Sequence, residues 1–140
     1  MTTSKKVFIA SDVISSFIDR AHTRHEEADA YFRYFTQEEY ALFTDINSIT
    51  QAYMDIYTNI SPSLAKDFLR TLALSNFNIL YPDESDNKAS LKALINFQST
   101  DLTYPKALMS VMAERRGIQN ICTFEYLHPL FGLHLFYLPI

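Results

Sequence analysis

Residues 101–129, DLTYPKALMSVMAERRGIQNICTFEYLHP, decide the fold. Apolar Ala107, Leu108, Val111 and Met112 recur at helical spacing, with Glu114, Arg115 and Arg116 at the end of the run. That pattern is an amphipathic helix. Gly117 stands where a helix commonly ends on a left-handed residue. Residues 118–124 are short and carry apolar Ile118, Ile121, Cys122 and Phe124, which suits a strand covered on both faces. A helix, a glycine and a buried strand make half of a βαβ unit, whose carboxyl edge is where open α/β sheets place their ligands. The polar residue at that edge is Glu125.

Working outward, the same alternation recurs. Residues 5–10 (KKVFIA) read as a buried strand, with Asp12 after it as an N-cap. Helical spacing follows over 13–19 and 22–35, with Glu26 and Glu27 complementing the second helix dipole. Residues 40–45 read as a strand and 47–57 as a helix. Ser61-Pro62 opens another helix, with proline at its first position, running to about Leu74. Residues 77–81 form a strand, 83–87 an acidic connector, 89–97 a helix, and 98–100 a loop. Residues 132–138 end the chain as an aromatic edge strand. Short strands alternating with helices predict a three-layer α/β/α sandwich around a mostly parallel sheet of about five strands, in one domain spanning 1–140.

Composition narrows the function. At 140 residues, 48% hydrophobic and 14% aromatic, the chain has material for a core of its own. The net charge of −4 disfavours a broad, sequence-blind nucleic-acid binder. It leaves room for a nucleic-acid enzyme that is acidic around metal ions. A single cysteine, Cys122, removes any internal disulfide framework and fits a reducing cytoplasm. Residues 1–6 lead straight into a strand, without a signal segment, and the apolar run at 130–140 is too short and interrupted to span a bilayer. Two glycines are too few for a P-loop or a dinucleotide fingerprint. No Ser-His-Asp order or nucleophile elbow supports acyl transfer.

In segment order the chain resembles a PIN domain, most closely the VapC-type ribonucleases of toxin–antitoxin pairs. The resemblance rests on VFIASDVISSFIDRAHTRHEEADAYF, on TDINSITQAY, and on DLTYPKALMSVMAERRGI with ICTFEYLHPL. It covers nearly the whole chain. It implies about four carboxylates at the strand ends, holding one or two Mg²⁺ or Mn²⁺ ions that activate water against an RNA phosphodiester. It also implies a dimer and an antitoxin-like protein partner.

Residue by residue, however, the family's acid positions fall on Ala10, Gln51, Lys106 and Glu125. These four carry no net charge, so they give a divalent cation no reason to concentrate, and an ammonium near it would repel it. The expectation is a degenerate PIN domain without a cofactor that acts as a binding or interaction module. The alternative is a metal-dependent endoribonuclease rebuilt on Asp12 and Glu125 as catalytic and metal-binding residues, with Mg or Mn and with Asp55 or Asp101 in support. Asp12 reads first as a helix cap, Asp55 as a solvated helix position and Asp101 as a loop or capping residue. Lys106 is expected either to pair with Glu125 or to extend to solvent.

His22 and His25, beside Glu26, lack a third ligand and read as helix-start residues. Cys122 reads as packing, and His128 and His134 as turn or edge residues. Arg20, Arg24, Arg33, Arg115 and Arg116 read as solvated helix faces. Tyr31, Tyr34, Phe35, Tyr53, Tyr57 and the aromatic residues of 131–137 exceed what a small core needs, so part of them is expected at a protein interface.

Overall fold

A computed structural model describes residues 5–97, 102–125 and 134–136. Its elements run β1 (Lys6–Ile9), α1 (Ser11–Ile18), α2 (His25–Gln37), β2 (Ala41–Asp45), α3 (Ile46–Asn59), α4 (Pro62–Ala73), β3 (Asn78–Leu80), α5 (Glu84–Asn96), α6 (Tyr104–Arg115), β4 (Asn120–Cys122) and β5 (His134–Leu135). The sheet order is β3-β2-β1-β4-β5 and every pairing is parallel. Four strands carry the sheet and a two-residue fifth closes one edge. This is the three-layer α/β/α architecture expected from the alternation of strands and helices.

β1 shows why the layers form. Alternate strand residues face opposite sides, and both sides of this strand are buried. Val7 and Ile9 join a core with Ala28 and Phe35 of α2, Ile49 and Ile56 of α3, and Phe68 of α4. Phe8 and Ala10 join a second core with Met109 and Ala113 of α6 and with Ile118 and Ile121. Gly117 has φ 71°, which a glycine adopts without strain, and it turns the chain from α6 toward β4. Ser61 caps α4 by accepting from the Leu64 N–H at 3.1 Å, with Pro62 at the first helical position.

Three expectations change. Asp12 is not an N-cap: α1 starts at Ser11, one residue earlier, with Ala10 in the capping position and no side-chain cap. α2 starts at His25 because residues 19–24 form turns, with the His22 N–H bonded to the Asp19 carbonyl. The acidic connector at 83–87 is the first turn of α5: Asp83 and Asp86 form a reciprocal capping box. Asp86 is wholly buried and holds α5 to α6. Arg116 pairs with both its oxygens at 3.1 and 2.8 Å, and Arg115 also donates to it.

The aromatic surplus is mostly internal. Tyr31 and Phe35 are buried, and Phe136, which follows the last strand, has its ring centroid 5.0 Å from that of Phe35 and 5.5 Å from that of Tyr34. For this group an interface explanation falls away, because the rings cover one another. Tyr57 remains 45% exposed, with Tyr53 beside it. Residues 131–133 and 137 and the loop at 98–100 lie outside the described residues.

Candidate functional site at the carboxyl edge of the sheet

The chain order turns back at β1: β2 and β3 lie on one side of it and β4 on the other. Parallel strands leave a crevice outside their carboxyl ends at such a switch point. Here the crevice is a cavity of about 470 Å³, within the size range of small-molecule sites. The four positions at which the resemblance implies acids, Ala10, Gln51, Lys106 and Glu125, all line it. Asp12 lines it as well, so the two residues proposed for a rebuilt site share one cavity.

Asp12 is committed to the protein's own donors. The Val13 N–H donates to its carboxylate at 2.9 Å, Thr123 Oγ1 at 2.9 and 3.1 Å, the Phe124 N–H at 2.8 Å and the Glu125 N–H at 3.2 Å. These four donors match the roughly four lone-pair directions of a carboxylate. The carboxylate thereby ties the start of α1 to the turn after β4. Burial nonetheless raises its pKa above the ordinary carboxylate range; the Phe124 and Thr123 hydrogen bonds oppose that rise and the Glu125 charge adds to it.

Lys106, in the first turn of α6, folds into the cavity with its side chain 24% exposed. Its Nζ lies 3.4 Å from Glu125 Oε2, one of the two placements left open by the sequence. Gln51 accepts from Ser11 Oγ at 3.0 Å, which joins α3 to α1. At the end of β1 the Ala10 N–H is bonded to the Cys122 carbonyl at 3.0 Å.

Sequence reading missed Asp45. It ends β2, is 1% exposed, and caps α3 by accepting from the Ser48 N–H at 2.8 Å. Burial raises its pKa too, against the Ser48 hydrogen bonds. The signal was present as an Asp-x-x-Ser step at a strand end, a capping pattern. With Asp45 included, the cavity holds three carboxylates against one ammonium, so it is acidic where the four family positions alone are neutral.

The remaining candidates lie elsewhere. Asp55 is exposed on α3 and lines a separate small pocket with Asp19 and His22. His25 bonds through Nδ1 to the Ser16 carbonyl. Cys122 is buried, and desolvation pushes its thiol far above the ordinary range. Arg24 sits 5.0 Å over the Phe124 ring, outside the cavity, while Arg115 and Arg116 serve Asp86. Arg20 and Arg33 are exposed, Arg33 pairing with Asp29. Asp101 and His128 lie outside the described residues, as does the His134 side chain.

The carboxylate cluster implied for divalent metal does not fit these residues. One of the carboxylates is filled by protein donors, another is paired with an ammonium, and a third caps a helix. Among the described residues no group of three or more His, Cys, Asp or Glu side chains is arranged to hold a metal ion.

A parallel sheet in this strand order, helices on both faces and a cavity at the switch point define a PIN-like fold. The chain is similar in structure to Mycobacterium tuberculosis VapC20, a sarcin-ricin loop cleaving toxin, with a TM-score of 0.73 over 82% of this chain and 86% of that one. The two are 11% identical, so the likeness is one of fold. No protein-family model and no curated protein matches the sequence. No helix among the described residues is long and apolar enough to cross a membrane.

Proposed function

We propose that this chain is a PIN-like protein that has lost metal-dependent phosphodiester cleavage and acts as a binding or interaction module. The observation that carries the reading is the 3.4 Å pairing of Lys106 with Glu125 inside the cavity. A cation on the protein occupies ground that a hydrolytic Mg²⁺ or Mn²⁺ would need. The donors around Asp12 support the same reading, since a ligand carboxylate must present free lone pairs to the ion. A reducing cytoplasm, self-association as a dimer and an antitoxin-like partner belong to this proposal.

A second reading is favoured by one observation: Asp12, Asp45 and Glu125 line a single cavity. In it the chain is a metal-dependent endoribonuclease, and the RNA cleavage of the VapC20 toxin is its precedent. Mn²⁺ titration followed by melting decides between the two. Anything that binds the native state raises its stability by mass action. The proposed loss expects no change in melting temperature and no cleavage of RNA. A Mn²⁺-dependent rise that disappears in Asp12→Ala, together with cleavage, establishes the second reading instead. The triple variant Ala10→Asp/Gln51→Glu/Lys106→Asp is expected to gain Mn²⁺ binding.

A further inference from the structure

Lys106 is placed against two general preferences. It lies in the first turn of α6, where the unbonded N–H groups put the positive end of the helix dipole, and that turn contains no acid. Long lysine side chains also tend to carry their charge out to water. This one instead turns into the cavity and is three-quarters covered, with its Nζ 3.4 Å from Glu125. The reason lies in what shares the cavity. Asp12 and Asp45 are desolvated at the ends of β1 and β2, and Glu125 follows β4. Three carboxylates gathered at the edge of one sheet repel one another unless a cation stands among them.

We infer that the Lys106 ammonium is a tethered counter-ion, taking the electrostatic place that a divalent metal holds in metal-dependent members of this fold and making the carboxyl edge independent of metal. The assignment goes beyond the loss of cleavage, because it states what took over the metal's structural task.

Thermal melting of the full chain, in chelator and in millimolar MnCl₂, tests it. Wild type and Lys106→Arg are expected to melt alike and to ignore Mn²⁺. Lys106→Asp removes the ammonium and adds a carboxylate. It is expected to melt several degrees lower in chelator and to recover most of that loss with Mn²⁺, and Asp45→Asn in that background should at least halve the recovery. A Lys106→Asp variant that melts like wild type and ignores Mn²⁺ overturns the assignment. So does a variant that melts lower and does not respond to Mn²⁺. If Lys106→Asp does not fold in either buffer, Lys106→Met against Lys106→Arg decides. A lower melting temperature for methionine alone supports the counter-ion, and equal temperatures overturn it. Mn²⁺ stabilisation of the wild type would overturn the proposed loss of metal binding. A metal-silent wild type with a metal-silent Lys106→Asp overturns only the role of Lys106.

Discussion

The carboxyl edge of the sheet and the α5–α6 interface both take carboxylates out of water, and they compensate them differently. Asp86 is fully buried and receives Arg116 in a two-bond fork, with Arg115 as a further donor. Hydrogen bonding to Arg116 is the main reason its pKa falls, to about 2. Asp12 and Asp45 are also desolvated but meet neutral donors, and their pKa values rise. A rigid guanidinium fork on a buried carboxylate makes an anchor. Neutral N–H and O–H donors around a carboxylate satisfy its lone pairs but carry no opposing charge. Lys106 lines the same cavity, with its ammonium 3.4 Å from Glu125. The fold thus carries two clusters of desolvated carboxylates, one compensated by a guanidinium fork and one bonded mainly to neutral donors.

The contrast can be broken most forcefully at Asp86. Asp86→Ala strands two arginines and removes half of the capping box, so a loss of roughly 3–5 kcal/mol in urea unfolding is expected. A smaller loss would mean that partly exposed Arg115 and Arg116 find water instead. The acid limb sharpens the same point. Asp86 is lowered from an ordinary 3.8 to about 2, so its contribution is complete above 3.8 and lost as pH falls through about 2. At about 1.4 kcal/mol per pKa unit the span is worth about 2 kcal/mol. Asp86→Asn should flatten that limb in urea midpoints taken across the range.

At the sheet edge the effects are smaller. Asp12→Ala leaves the Thr123 hydroxyl and the Phe124 N–H without their acceptor and is expected to cost about 1–3 kcal/mol, read by urea unfolding, with amide exchange localising the opening to residues 123–125. Asp45→Asn keeps an acceptor for Ser48 while removing charge. The raised pKa of Asp45 reverses the sign seen at Asp86: its contribution is full below the ordinary value and is lost as pH rises through the folded one. The asparagine variant should therefore match or exceed wild type at neutral pH and fall short of it in acid, an ordering that melting curves would check. Smallest is Glu125→Gln. Glu125 is 63% exposed, so removing its charge should cost less than about 1 kcal/mol in a melting or urea measurement.

Much of this was legible along the chain because it depends on local periodicity. The apolar spacing at Ala107, Leu108, Val111 and Met112, the φ of Gly117, the Ser61-Pro62 helix start and the apolar triplet Val7–Phe8–Ile9 each arise from backbone rules acting over a few residues. The pairing of Lys106 with Glu125 was legible only as one of two options, since both stand at ends of elements that converge on one edge while a lysine there can equally extend to solvent. Asp45 was not, because a capping aspartate and a cavity-lining aspartate look alike until the strands are placed side by side. Asp86 was hidden for a similar reason. Acidic residues between a strand and a helix read as a solvated connector, and only the packing of α6 brings Arg115 and Arg116 onto them. The aromatic surplus misled because Phe136 lies about a hundred residues from Tyr31 and Phe35, and its burial among them is a long-range event.

The order of amino acids by itself determined the alternation of strands and helices, the parallel three-layer sandwich and the absence of acids at positions 10, 51 and 106, since these need only periodicity and identity. The tertiary structure alone decided how each buried charge is compensated. Burial and partner geometry set the energy of a carboxylate, and both come from residues that meet only when the chain is folded.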